Sequence, residues 1–136
     1  MHDPTNDRGK QLGRGKTILV VEDQPDVRNI VETCLEHLDY RILTAADGMA
    51  ARRVLESDET IDLLLTDIVM PNGVSGLELA QEVRRLRQGL GVVLVSGYHR
   101  DDNWADDQSG LIFREKPCRP TELADTIADV LSNGGR

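Results

Sequence analysis

The sequence predicts an α/β domain: a five-stranded parallel sheet with strand order 2-1-3-4-5 and helices on both faces. Short apolar runs rich in branched aliphatic residues alternate with segments whose apolar residues recur at helical spacing. Strands that alternate with helices of about 10–14 residues are joined by crossovers, which make the sheet parallel and place helices on its faces. The length of 136 residues fits one such domain with a core of its own.

The first strand and the first helix have the clearest patterns. Residues 18–21 form a continuous apolar run, which is typical of a strand buried on both faces. Pro25 suits the first turn of a helix, because its missing N–H has no intrahelical acceptor to lose. The apolar residues that follow are spaced as on one helix face: Val27, Ile30, Val31, Cys34, Leu35 and Leu38. On this face we interpret Cys34 as a small core residue.

The same alternation continues to the end of the chain. It predicts strands at 40–44, 61–66, 92–95 and 111–113, helices at 48–57, 77–86 and 120–131, and a Pro/Gly-rich loop at 70–76. Residues 99–109 occupy the place of the fourth helix, yet they are mostly polar and have no apolar face. We expect that helix to be weak, irregular or mobile.

The ends of the chain differ from its centre. Residues 1–16 contain few apolar side chains and are predicted to be a flexible leader or linker. The domain itself is predicted to cover 17–131, and residues 132–136 form a short tail. Two cysteines are too few for a disulfide scaffold, and no apolar stretch is long enough to cross a membrane or direct secretion. A cytoplasmic location follows as the expectation.

The charge distribution limits the partners of the chain. The 24 acidic residues outnumber the 16 basic ones, so the net charge is −8. The leader has four basic residues against two acidic ones, and the remaining 120 residues therefore carry −10. A domain this acidic repels nucleic acids and anionic membrane surfaces, so neither is expected as a direct partner.

Charged and polar residues follow four of the five predicted strands. Glu22 and Asp23 follow the first strand, Asp67 the third, Ser96 the fourth and Lys116 the fifth. In a parallel sheet the carboxyl ends of the strands meet at one edge, where ligands bind. We expect three carboxylates, one hydroxyl and one ammonium group to converge there.

Three carboxylates at one edge require either raised pKa values or a bound cation. Two like charges about 4 Å apart repel by about 1 kcal/mol in water and by about 4 kcal/mol at an effective dielectric constant of 20. A small set of oxygen ligands suits Mg²⁺ better than zinc or copper. Lys116 and Ser96 would suit the oxygens of a phosphate, and Asp67 would be placed to act as a nucleophile. The group predicts a site that accepts a phosphoryl group.

The sequence resembles the receiver domain of two-component response regulators over residues 17–131. The resemblance lies in ILVVED at 18–23, LTDIVMP at 65–71 with GLEL at 76–79, VSG at 95–97 and EKP at 115–117, together with ADG at 46–48 and Ala51. It implies that Asp67 is the phosphoacceptor. Glu22, Asp23, Asp67 and the main-chain carbonyl of Val69 would then hold Mg²⁺.

The resemblance also implies the parts of a switch. Ser96 would be the switch hydroxyl, Lys116 the phosphate-binding lysine and Phe113 the movable aromatic residue. A cis peptide bond would precede Pro117. Cys118 stands where phenylalanine is usual in this family, and we interpret it as an ordinary thiol.

The expected partner is a histidine kinase, in the same chain or separate, with a phosphotransfer protein as a second candidate. The segment from Pro71 to Gly76 is one residue longer than in most receivers, and with SGY at 96–98 it looks more like receivers attached to hybrid sensor histidine kinases. A stand-alone receiver remains the alternative. Such a domain is regulatory and is not an enzyme, apart from assisting its own phosphoryl transfer and dephosphorylation.

Three other functions fit the residues of the chain less well. A flavodoxin-like nucleotide binder needs a Gly- or Ser/Thr-rich phosphate loop after the first strand, where EDQP stands at 22–25. A phosphoaspartyl hydrolase usually has a second aspartate at the position of Val69. A receiver-shaped interaction scaffold that works without phosphorylation would not need the acceptor groups that are present here.

Overall fold

Strands and helices alternate along most of the described part of the chain. The computed structural model describes residues 15–68, 75–87, 89–96, 111–115 and 119–133; side chains are not described at Ser96, at residues 111–115 or at Asn133. The strands are β1 (Thr17–Val21), β2 (Arg41–Ala45), β3 (Leu63–Asp67), β4 (Gly91–Ser96) and β5 (Leu111–Glu115). The helices are α1 (Pro25–Glu36), α2 (Gly48–Leu55), α3 (Gly76–Leu86) and α4 (Pro120–Asn133).

The strands form a parallel sheet in the order β2-β1-β3-β4-β5. β1 lies between β2 and β3, with Val21 opposite Ala45 on one side and Thr66 on the other. Every residue of β1 and β3 is buried. This burial explains why both strands read as continuous apolar runs, and it confirms the predicted parallel α/β class.

Two apolar clusters cover the two faces of the sheet. Alternate residues of β1 point to opposite faces, so Leu19 packs with α2 and α3, whereas Ile18 packs with α1 and α4. Val83 of α3 and Ile127 of α4 are fully buried in their respective clusters. The described helices therefore lie two on each face, which confirms the prediction of helices on both faces.

Helix α1 ends earlier in the structure than the apolar spacing predicts. The apolar spacing predicted a helix that extends to Leu38, but α1 ends at Glu36. Asp39 has a φ of 72°, and the N–H groups of Asp39 and Tyr40 donate to the carbonyls of Glu36 and Leu35 over 3.0 and 3.3 Å. This pair of bonds is a Schellman motif, which ends the helix through its backbone and leaves no mark on the apolar spacing.

The bounds of one predicted strand differ in the structure, and several other predicted features lie outside the described residues. The predicted strand 61–66 is found at Leu63–Asp67, and the carboxylate of Asp62, just before it, accepts a hydrogen bond from the N–H of Thr17 over 2.8 Å. Cys34 is half-buried. The leader up to residue 14, the segment 99–109, Lys116 and Pro117 lie outside the described part of the chain. None of the described helices is both long and apolar enough to cross a bilayer.

Candidate functional site

The structure brings three of the predicted site residues together. Glu22, Asp23 and Asp67 each offer a carboxylate oxygen, and these oxygens lie within 4.8 Å of one another. The convergence follows from the topology, since β1 and β3 are neighbours and both end at the same edge of the sheet. Glu22 and Asp67 are only 6% and 7% exposed, whereas Asp23 is exposed. These three residues are called the acidic cluster below.

Glu22 and Asp23 lie in a short loop, residues 22–24, between β1 and α1. The N–H of Glu22 donates to the carbonyl of Ala45 at the end of β2 (3.1 Å), so the loop continues the pairing of the two strands. The N–H of Gln24 donates to the Glu22 carboxylate (3.1 Å). A guanidinium nitrogen of Arg28 donates to the Glu22 carbonyl (2.7 Å). The loop is thus bonded to both β2 and α1.

Asp67 is the last residue of β3 and is held on both sides. The Thr66 hydroxyl donates to the Asp67 carbonyl over 2.9 Å, and the N–H of Ile68 donates to the carbonyl of Val95 in β4 over 3.0 Å. The N–H of Gly76 donates to the carbonyl of Ile68 over 2.7 Å, which ties the start of α3 to the end of β3. Asp67 therefore lies at a fixed strand end.

The electrostatics of the acidic cluster fit a divalent cation. Three carboxylates this close repel one another, and the burial of two of them strengthens the repulsion because less water screens their charges. All three donors are hard oxygens, and the exposed side at Asp23 leaves room for water. A small, strongly hydrated ion such as Mg²⁺ fits this donor set.

A cavity of about 580 Å³ adjoins the cluster between α1, α4 and the sheet. Glu22, Thr66 and Asp67 line one part of it. Most of the other lining side chains are apolar, including Val20, Val27, Val31, Leu65, Val95 and Leu123. An apolar wall beside the two buried carboxylates lowers the local dielectric constant and so strengthens their interaction with any charged ligand.

The other predicted site residues are described in part or not at all. Ser96 is the last residue of β4 and follows Val95, whose Cα lies opposite that of Asp67. Phe113 lies in β5 with its Cα opposite that of Leu94. Only the backbone of these two residues is described. Val69 and Lys116 lie outside the described residues.

Two contacts at the site were not predicted from the sequence. Arg28 reaches the Glu22 carbonyl from the second turn of α1, six residues further along the chain. Gly76 was part of the family motif, but its close packing against Asp67 was not foreseen. The available signals were weak: an arginine near the start of a helix and a glycine after a turn each have many ordinary explanations.

Comparison with known proteins identifies relatives along most of the chain. Residues 18–128 match the family model described as the response regulator receiver domain. The phosphate regulon transcriptional regulatory protein PhoB of Pseudomonas aeruginosa is 32% identical over 130 residues, which cover 89% of this chain and 54% of PhoB. The sensor kinase CckA of Brucella abortus is 30% identical over 130 residues, covering 92% of this chain and 13% of CckA. The chain thus spans about half of one relative and a small part of the other.

Solved structures show the same fold. The response regulator TrrA of Thermotoga maritima, crystallised in complex with Mg²⁺ and BeF, is 30% identical in sequence. The match covers 85% of this chain and 98% of the TrrA chain, with a TM-score of 0.74. At that coverage, nearly the whole of this response regulator structure has a counterpart here.

Proposed function

Because this chain belongs to the response regulator receiver domain family, we propose that it is the phosphoacceptor of a two-component phosphorelay, with Asp67 as the acceptor. The observation that carries the proposal is the position of the buried Asp67 carboxylate. It lies at the carboxyl edge of a parallel sheet, within 4.8 Å of carboxylate oxygens of Glu22 and Asp23. An aspartate that lay alone at a strand end would not support this chemistry.

The proposed reaction transfers a phosphoryl group from a phosphohistidine to Asp67. A carboxylate oxygen of Asp67 forms a bond to phosphorus, the bond between phosphorus and the imidazole nitrogen breaks, and the nitrogen keeps the electron pair. When bound, Mg²⁺ supplies positive charge to the phosphoryl oxygens. Glu22, Asp23 and Asp67, with the main-chain carbonyl of Val69, are the proposed ligands. The strand-end bonds around Asp67 fix the main chain that carries its carboxylate.

The remaining predicted residues complete the proposal. Ser96 would donate a hydrogen bond to a phosphoryl oxygen, and Lys116 would pair with another. Phe113 would repack as Ser96 moves, which makes the domain a two-state switch. To move such a switch from 1:99 to 99:1 takes about 5.5 kcal/mol of differential stabilisation, which a few charge-assisted bonds can supply.

The proposed donor is a histidine kinase, in the same chain or separate, acting either directly or through a phosphotransfer protein. The match to a segment of CckA, which is named a sensor kinase, supports this class of donor. The acidic surface of the chain supports a protein partner over nucleic acid. In this proposal the domain is regulatory and assists only its own phosphoryl transfer and dephosphorylation.

Acetyl phosphate provides a direct test without the kinase. The full chain is incubated with acetyl phosphate and MgCl₂, and its intact mass is followed with and without EDTA. We expect one phosphoryl adduct that needs Mg²⁺ and is absent in Asp67→Asn. Asp58→Asn is the matched control, because Asp58 is an exposed aspartate in the turn after α2.

Two results would contradict the proposal. An adduct that persists in Asp67→Asn would place the acceptor elsewhere. A wild-type chain that gains no phosphoryl group and whose beryllofluoride ¹⁹F spectrum shows no bound species would favour a receiver-shaped scaffold that works without phosphorylation.

A further inference from the structure

We propose that Arg28 is a positioning residue for the loop of residues 22–24: its guanidinium holds the main-chain carbonyl of Glu22. This bond keeps Glu22 and Asp23 arranged around Asp67 before any cation binds. The inference rests on the proposed function, because it concerns how that site is prepared for Mg²⁺. It assigns a role to a residue outside the acidic cluster.

The geometry of α1 brings Arg28 to the loop. Pro25 is the first residue of the helix, so Arg28 begins its second turn. Side chains in a helix tilt towards its N-terminus, and that of Arg28 therefore extends back over the first turn to the preceding loop. The distance of 2.7 Å between Nη1 and the carbonyl oxygen is typical of a charge-assisted hydrogen bond. The bond is partly buried, which protects it from competition with water.

The loop needs this contact because its own charges oppose its conformation. Repulsion within the acidic cluster pushes Glu22 and Asp23 away from Asp67 when no cation is present. The bond from the Glu22 N–H to the Ala45 carbonyl anchors the start of the loop to β2, whereas the bond from Gln24 to the Glu22 carboxylate spans only two residues. The Arg28 bond joins the loop to α1, and its positive charge offsets part of the repulsion.

The same positive charge has an opposing effect on metal binding. A guanidinium near three carboxylates repels a second cation, and this effect alone would make Mg²⁺ bind more tightly once Arg28 is neutralised. Positioning predicts the reverse, because a loop that spreads apart must be reordered when the ion binds. The direction of the change in Mg²⁺ affinity therefore separates the two effects.

The test measures Mg²⁺ binding to the full chain by isothermal titration calorimetry. For Arg28→Gln we expect roughly tenfold weaker binding, the effect of losing one hydrogen bond from a charged donor. Arg28→Lys, which keeps the charge and one possible bond, should lie between Arg28→Gln and the wild type. Arg41→Gln is the matched control: it removes the same charge from an exposed arginine at the start of β2, paired with Glu59 over 3.0 Å.

A second readout separates positioning from folding. In phosphorylation by acetyl phosphate, the Mg²⁺ concentration for half-maximal rate should rise roughly tenfold in Arg28→Gln, whereas the rate at saturating Mg²⁺ should stay close to that of the wild type. A variant that is only less stable would bind Mg²⁺ with wild-type affinity under conditions where it is folded, and that result would overturn the inference.

Different results would overturn the role of Arg28 and the proposed function. If the wild type binds Mg²⁺ and Arg28→Gln binds it equally well or more tightly, only the role of Arg28 is overturned. If the wild type neither binds Mg²⁺ nor accepts a phosphoryl group, the proposed function fails and the role of Arg28 fails with it.

Discussion

Gly76 packs directly against the main-chain carbonyl of Asp67. A Cβ atom built on this glycine would overlap the carbonyl oxygen, and it would lie 2.7 Å from the carbonyl carbon and 2.9 Å from the Cα of Ile68. The neighbouring atoms are backbone, so no side-chain rotation could make room. The first residue of α3 and the last residue of β3 therefore fix each other, and the position of the proposed acceptor depends on a residue that has no side chain.

Gly76→Ala should lower the stability of the domain and slow the phosphorylation of Asp67. We expect the free energy of unfolding to fall by about 1–3 kcal/mol, the usual cost of overpacking, although alanine is the better helix former. Because the strain is relieved by moving Asp67, phosphorylation by acetyl phosphate should be slower even at temperatures where the variant is folded. Urea denaturation and the adduct assay measure the two effects.

Gly91→Ala is the matched control for this prediction. A Cβ at Gly91 would meet Cγ1 of Val130 at 2.6 Å, at the opposite end of the sheet. This variant should lose stability without slower phosphorylation of the folded protein. If Gly76→Ala and Gly91→Ala reacted at the same rate, the packing of Gly76 would have no special effect on Asp67.

Asp23→Asn should weaken metal binding and should stabilise the metal-free protein. Removing one of three clustered carboxylates relieves repulsion, so the melting temperature without Mg²⁺ should rise. An ion that binds only the folded state at about 100 times its Kd stabilises that state by about 2.7 kcal/mol, and the variant should lose most of this gain. Thermal melts with and without MgCl₂ measure both changes.

Asp26→Asn is the control for a general effect of negative charge on Mg²⁺ binding. Asp26 is exposed in the first turn of α1, three residues from Asp23 and outside the acidic cluster. It should retain the Mg²⁺-dependent gain in melting temperature. A similar loss in both variants would mean that the overall negative charge attracts the ion and that the cluster has no special part in binding it.

The acidic cluster could be predicted from the sequence because the strand pattern and the topology together determine it. Continuous apolar runs mark β1 and β3 as strands buried on both faces, and the sheet order makes them neighbours. Glu22 and Asp67 then have to meet, whatever the loops do. Predictions of this kind succeed because burial and strand pairing act on whole segments rather than on single contacts.

The contacts that hold the site together could not be predicted in the same way. Arg28 bonds to a main-chain carbonyl, and every residue has one, so no partner residue marks the contact in the sequence. The end of α1 at Glu36 depends on a backbone conformation at Asp39, which the apolar spacing up to Leu38 does not reveal. Such details depend on three-dimensional distances that residue types alone do not encode.

Arg87 should be a main stabilising residue outside the site. From the end of α3 its guanidinium donates to the carbonyls of Leu55, Ser57 and Glu59, over 3.1, 2.9 and 2.8 Å. These bonds fix the connection between α2 and β3. We expect Arg87→Ala to lose about 2 kcal/mol of unfolding free energy, since such bonds to a charged donor are strong but partly exposed here.

Arg87→Lys should recover little of that loss, because a single ammonium group cannot span three carbonyls. The control is Arg85→Ala, an exposed arginine of the same helix, which should change stability by no more than about 0.5 kcal/mol. Urea denaturation of the three variants provides the comparison. Equal stability of Arg87→Ala and Arg85→Ala would show that the three bonds contribute nothing net.

Asp39→Gly should stabilise the domain. Asp39 adopts a φ of 72°, the left-handed conformation that glycine accepts without a steric penalty. Relief of that strain should raise the free energy of unfolding by roughly 0.5–1 kcal/mol, even though glycine gives the unfolded chain more freedom. Asp39→Ala removes the same charge but keeps a Cβ, so it should give no such gain. A gain of equal size in both variants would point to charge instead of backbone strain.

Because of Tyr40, the free energy of unfolding should fall at alkaline pH. Its side chain is 5% exposed, and burial raises its pKa above the usual value of 10.0. Above about pH 10 the unfolded chain loses the phenolic proton of Tyr40, whereas the folded protein still keeps it. The stabilising contribution of Tyr40 is therefore complete below about pH 10 and is lost as the pH rises through the pKa of Tyr40 in the folded protein. The wild type should therefore lose unfolding free energy faster than Tyr40→Phe between about pH 9 and about pH 11. Other alkaline titrations are common to the two proteins and cancel in the difference, so parallel pH profiles would contradict the assignment to Tyr40.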